Sequence, residues 1–179
     1  MTISFVKPSL QSLDSIQADV LVVGLYTNER PPMGLTGLLD WRLCGYVSDL
    51  LVEDKISTAV GEATLFPSYG RLTFPRVCAF GLGDPDQFTP GVAKEVSARI
   101  VETVYKLRVN SCALSLPGSY RTNIAPRVRM ELLLGELTRV FSAQEPTLDF
   151  ATYLIEPVDL HRELNEIVSV ATRQWRGIW

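Results

Sequence analysis

Residues 18–26 read ADVLVVGLY. From Val20 to Tyr26 every position is apolar or glycine, so a strand here has no polar face to turn toward water. Such a strand is buried on both sides, as in a parallel or mixed sheet with helices packed on each face. The run is far shorter than the about 20 apolar residues of a membrane span, and the N-terminus lacks the basic-then-apolar order of a signal peptide. A soluble, cytoplasmic protein is expected.

The flanking chain alternates strand with helix. ISFVKPSL opens as a short strand ended by Pro8. Leu35, Leu38, Leu39, Leu43, Tyr46, Val47, Leu50 and Leu51 recur at spacings of three and four, which predicts one amphipathic helix over 35–53 with Gly45 as a mild weakness. GEATLFPSYGRLTFPRVCAFGLG reads as two strands around a turn at PSYG. Thr89 and Pro90 suit an N-cap and a first helical position, and a helix over 91–108 turns Val92, Val96, Ile100, Val104 and Leu107 inward. SCALSLPG is the next strand and RVRMELLLGELTRVFS a third long helix. FATYLIEP is a final strand, and the last helix carries Leu160, Leu164, Ile167, Val168, Ala171 and Trp175 in one stripe. This order predicts an α/β fold, a three-layer α/β/α domain around a mixed sheet.

A chain of 179 residues with 46% hydrophobic and 21% charged residues is an ordinary globular protein, expected as a single domain over 1–179. Its net charge of −3 exerts no general pull on nucleic acid or acidic membranes. Cys44, Cys78 and Cys112 lie in apolar segments and read as buried reduced thiols. Cysteines so far apart, with His161 the only histidine, oppose a zinc site. His161 itself reads as a helix-surface or satisfied histidine.

CAFGLGDPDQFTP, residues 78–90, carries part of a dinucleotide fingerprint in Gly81 and Gly83, but Asp86 stands where a third glycine belongs. Asp84 and Asp86 would also repel phosphate. The stretch is better read as a tight corner whose aspartates are solvated and complement the following helix.

Together with ADVLVVGLY, GEATLFPSYG and PRVCAFGLGDPDQFTP, the helices that follow resemble the N-terminal domain of the leucyl aminopeptidase family of cytosolic metallopeptidases. The resemblance implies a macro-domain-like fold that, in full-length members, precedes a two-metal catalytic domain bearing the motif N-T-D-A-E-G-R. No stretch of this chain matches that motif. A two-metal centre needs carboxylates gathered to hold ions about 3.5–4 Å apart, whereas Asp40, Asp49, Glu53 and Asp54, and Glu131 and Glu136, read as solvated helix faces. No catalytic residue, metal or cofactor is expected, and a G-x-S-x-G nucleophile motif is lacking.

The macro-domain resemblance also implies two glycine loops that bind ADP-ribose. PMGLTGLLD, with Gly34 and Gly37, stands in the place of the first, and LPGSYRTN, with Gly118, in the place of the second. Arg121, with Arg127 and Arg129, adds positive charge beside the second loop; the alternative is a solvated face. Three functions are consistent with these features. The favoured one is a stand-alone, non-catalytic interaction or regulatory module, with a protein partner or homo-oligomer expected. The others are a binder of ADP-ribose or a related phosphate compound through Gly34, Gly37, Gly118 and Arg121, and a subunit completing an aminopeptidase in trans. Nucleic acid is not an expected partner, since only 121–129 is visibly basic. Trp175, Ile178 and Trp179 either fold back on the core or cover a partner.

Overall fold

The computed structural model describes residues 1–142 and 149–176, with side chains over 1–141 and 149–172. In chain order the elements are β1 (Thr2–Val6), α1 (Leu10–Ser15), β2 (Val20–Tyr26), α2 (Gly34–Arg42), α3 (Tyr46–Val52), β3 (Ala63–Pro67) and β4 (Arg76–Gly83). There follow α4 (Pro90–Lys106), β5 (Ser111–Leu114), α5 (Pro126–Leu137), β6 (Ala151–Ile155) and α6 (Val158–Arg176). The sheet order is β1-β6-β5-β2-β4-β3. All neighbours are parallel except β3, which pairs antiparallel with β4 as the first strand of a hairpin.

The mixed sheet and its two helical layers follow from β2. Val20 and Val22 pack with Cys78 and Phe80 against Val96 and Ile100 of α4, Leu133 of α5 and Leu164 of α6. Leu21, Val23 and Leu25 face the other way, onto Leu13 of α1, Leu39 of α2 and Val47 of α3. Each such side chain contributes about 1.5–3 kcal/mol by leaving water. The Thr89 cap is as expected: its hydroxyl accepts from the Val92 amide at 3.3 Å, with Pro90 opening α4.

Four expectations are corrected. The helix predicted over 35–53 is two helices, because Cys44 and Gly45 both take left-handed backbone, with φ of 58° and 85°. The bend keeps Leu35 and Leu39 on one side, and Val47, Leu50 and Leu51 on the other, in a single core. Asp40 therefore leaves the solvated face: its buried carboxylate accepts from the Ser48 amide at 3.0 Å and hydroxyl at 2.6 Å, capping α3 from the preceding helix. Cys44, at the bend, is exposed beside Arg71, whereas Cys78 and Cys112 are buried, which pushes their thiols up to about 11 and about 12. Glu136 is likewise buried, paired with Arg139 at 2.7 Å.

Helix α1 is an addition to the sequence reading. Six residues are too few to show a period, and the helix rests on Ser9, whose hydroxyl accepts from the Ser12 amide at 3.2 Å. The side chain of Trp175, and Ile178 and Trp179, lie outside the described residues. Among the described residues no helix is long and apolar enough to cross a membrane.

Candidate functional site at the carboxyl ends of the strands

The adjacent strands β2 and β5 send their chains to opposite faces: β2 leads to α2, in the layer of α1 and α3, and β5 to α5, in the layer of α4 and α6. Strands that part in this way leave a crevice beyond their carboxyl ends, where open α/β sheets bind ligands.

Gly34 opens α2 with φ +58°, and the space a Cβ would take is filled by the Tyr120 ring, whose Cε1 lies 2.5 Å from that point. Gly118, at φ +81°, has the Phe88 ring against it in the same way. Gly37 belongs elsewhere, one turn into α2, where a Cβ would lie 2.6 Å from the Pro32 carbonyl. Arg121 reaches the crevice, with Nη1 3.9 Å from Glu29 Oε1. Gly34, Gly118 and Arg121 thus gather at one place, while Gly37 serves a close backbone approach beside it.

The centre of the crevice is a group the sequence reading did not single out. Glu29, only 5% exposed, accepts a hydrogen bond from the Tyr120 hydroxyl on Oε2 at 2.5 Å. Its Oε1 and the buried Tyr26 hydroxyl have no hydrogen-bond partner. Tyr26 meets Phe88 and Tyr120 edge-on, with ring centres 5.6 and 6.5 Å away. Burial pushes the Tyr26 phenol up to about 12. Burial, and then the Glu29 hydrogen bond, also raise the Tyr120 phenol. Both are therefore neutral at physiological pH, hydrogen-bonding groups rather than bases.

A second polar group lies beside it. Arg129 is buried, which corrects the solvated-face alternative for it; Arg121 and Arg127 are exposed, Arg127 pairing with Glu131 at 3.0 Å. Arg129 donates from Nε to the Ile124 carbonyl at 3.2 Å and from Nη1 to Leu116 O and Ser119 Oγ at 3.4 and 3.3 Å. Glu156 accepts on Oε1 from the Leu116 amide at 2.6 Å and Ser119 Oγ at 3.1 Å. Burial raises the Glu156 carboxyl above its ordinary value, against these hydrogen bonds and Arg129. His161 is satisfied, its Nε2 2.7 Å from the Glu156 carbonyl oxygen. One positional signal for the acids was available: Glu29 follows β2 by three residues and Glu156 follows β6 directly.

The 78–90 turn answers to packing. Gly81 lies against the backbone of Thr58 and Ala59, exchanging hydrogen bonds with Gly61 and Glu62 at 3.0 and 2.9 Å, and Asp84 caps the short turn Pro85–Gln87. Among the described residues no three His, Cys, Asp or Glu side chains gather to hold a metal ion.

A twisted mixed sheet with helices on both faces and glycine loops at its carboxyl end defines a macrodomain-like protein. The structural neighbours agree. The Trypanosoma brucei macrodomain solved in complex with ADP-ribose superposes with a TM-score of 0.74 at 16% identity, over 93% of this chain and 68% of that one. A mutant of the Oceanobacillus iheyensis macrodomain gives 0.73 at 9% identity, over 96% and 92%. These likenesses are of fold. Residues 22–136 match the model of the cytosol aminopeptidase family, N-terminal domain, and the chain belongs to that family. It is 20% identical to a probable cytosol aminopeptidase of Alkaliphilus metalliredigens (strain QYMF), over 59% of this chain and 21% of the relative. A second, from Alkaliphilus oremlandii (strain OhILAs), is 22% identical over 65% and 23%. The match spans about a fifth of the length of these relatives.

Proposed function

We propose that this domain is a non-catalytic interaction or regulatory module of the cytosol aminopeptidase family. The observation that carries the reading is Tyr120: its ring fills the space over Gly34 and its hydroxyl is tied to the buried Glu29. The crevice between the glycine loops is occupied by the protein's own side chain, beside a carboxylate that disfavours phosphate. Surface for a protein contact is present on the α2 and α3 side, where Trp41 is 67% exposed and Met33, Val52 and Tyr69 are also open to solvent. Self-association is tested by sedimentation of the purified chain across micromolar concentrations. The reading expects an oligomer weakened at least tenfold by Trp41→Ser; a wild-type monomer would leave only a different protein as partner.

A second reading, binding of ADP-ribose or a related phosphate compound, draws support from Glu29 Oε1 and the Tyr26 hydroxyl, buried without a hydrogen bond, and from the neighbours solved with ADP and ADP-ribose. It would use Gly34, Gly37, Gly118 and Arg121 and requires Tyr120 to swing out. Calorimetric titration with ADP-ribose decides between the two. Binding that is lost in Arg121→Glu and strengthened in Tyr120→Ala favours the ligand reading, and no heat in either wild type or Tyr120→Ala removes it.

A further inference from the structure

Beside the crevice lies a pocket of about 220 Å³, walled by Leu35, Tyr120, Ile155 and Leu160 and by the charged residues Arg129 and Glu156. Its two charged groups are 6% and 1% exposed, Arg129 and Glu156 respectively. They are not paired directly. The Ser119 hydroxyl stands between them, accepting from Arg129 and sharing its one hydrogen between the Leu116 carbonyl at 2.7 Å and Glu156 Oε1 at 3.1 Å. Arg129 uses Nε and Nη1 within the fold and leaves Nη2; Glu156 takes both of its side-chain hydrogen bonds on Oε1 and leaves Oε2. A buried cation and a buried anion held apart are costly, and a ligand that supplies each with its counter-charge relieves that cost.

The ligand is constrained by size and charge. A cavity of about 220 Å³ is below the roughly 300–1,000 Å³ of sites for drug-sized molecules, so a dinucleotide does not fit inside it. One guanidinium and one carboxylate match a molecule with one negative and one positive end and no net charge. Apart from Ser115, Ser119 and Tyr120, the remaining wall is apolar. We infer that this cavity binds a small apolar zwitterion of the free α-amino acid class, its carboxylate on Arg129 Nη2, its ammonium on Glu156 Oε2 and its side chain among Leu35, Ile155 and Leu160. The inference deepens the regulatory reading but needs no protein partner. Ser119 and Tyr120 wall both this cavity and the crevice, so the ligand would act on the loop that closes the crevice.

The test is isothermal titration of the full chain with L-leucine, L-valine and L-methionine, beside L-leucinamide, which lacks the carboxylate, and 4-methylpentanoate, which lacks the ammonium. At least one amino acid is expected to bind, at least tenfold more tightly than both single-charge analogues. Glu156→Gln, which keeps an acceptor for the Leu116 amide, is expected to weaken binding at least tenfold. Leu160→Trp, which fills the cavity from its rim with both charges in place, is expected to abolish it. Circular dichroism confirms that each variant is folded. The proposal is overturned if none of the three amino acids binds up to 10-fold above millimolar affinity, if either analogue binds as well, or if a folded Leu160→Trp binds normally. Sedimentation reports on the partner reading separately, so the two can fail independently.

Discussion

Gly34 and Tyr120 form one packing unit, and its cost of disruption can be stated. Gly34→Ala places a methyl against the Tyr120 ring on backbone at φ +58°, so a loss of about 1–3 kcal/mol is expected in urea unfolding. Tyr120→Ala in the same chain should return part of that loss, a coupling that a double-mutant cycle reads directly. Glu156 gives a prediction in pH. Its carboxyl is raised in the folded state from an ordinary 4.5. The folded state thus holds the proton more tightly than the unfolded one, and this contribution to stability is full below about pH 4.5 and is lost as pH rises through the folded value. Glu156→Gln removes the titrating group, so its urea midpoint should lack that decline and equal or exceed the wild type at pH 7. The glycines at helix entries were legible in the sequence because their position alone suggests a special turn. Glu29 and Glu156 were not, and Arg129 was legible as charge beside the second loop but not as buried, since a solitary charge beside apolar neighbours looks the same whether water or a buried partner receives it.

The helices were legible as far as their periodicity reached. Helix α4 has enough turns for its apolar stripe to declare itself, and its Thr-Pro start marks its first residue. Along 34–52 the stripe was correct and the continuity was not, because a bend that keeps every apolar position facing the core leaves the pattern intact. The cap shows what stabilises that bend. Asp40→Ala removes the bonds to the Ser48 amide and hydroxyl, so a loss of about 1–2 kcal/mol is expected, with faster hydrogen exchange at the first amides of α3 and little change in α4. Unchanged exchange at Ser48 and Asp49 would show that Gly45 alone suffices to start the helix. The hairpin of β3 and β4 was visible from its turn, whereas its place at the sheet edge came only from the pairing of β4 with β2.

At the scale of the whole molecule, both cores share the β2 strand, one on each of its faces. Neither layer can leave without exposing that strand, so the single-domain expectation becomes a calorimetric prediction: one transition whose calorimetric and van't Hoff enthalpies agree. With roughly 12–15 cal/mol/K per residue, the heat-capacity change for 179 residues should be about 2.1–2.7 kcal/mol/K. Two resolved transitions would show that the layers separate. What the sequence by itself determined was the fold class and the family resemblance. Burial on both faces, helical stripes and capping residues are local patterns, written in residues near one another in the chain. What only the tertiary structure decided was the site. Glu29 and Tyr120 stand 91 positions apart and meet at 2.5 Å, and Leu116 and Glu156 stand 40 apart and meet at 2.6 Å. Hydrogen bonds and desolvation act through space, so their partners are set by the order in which strands enter the sheet, which a local pattern does not record.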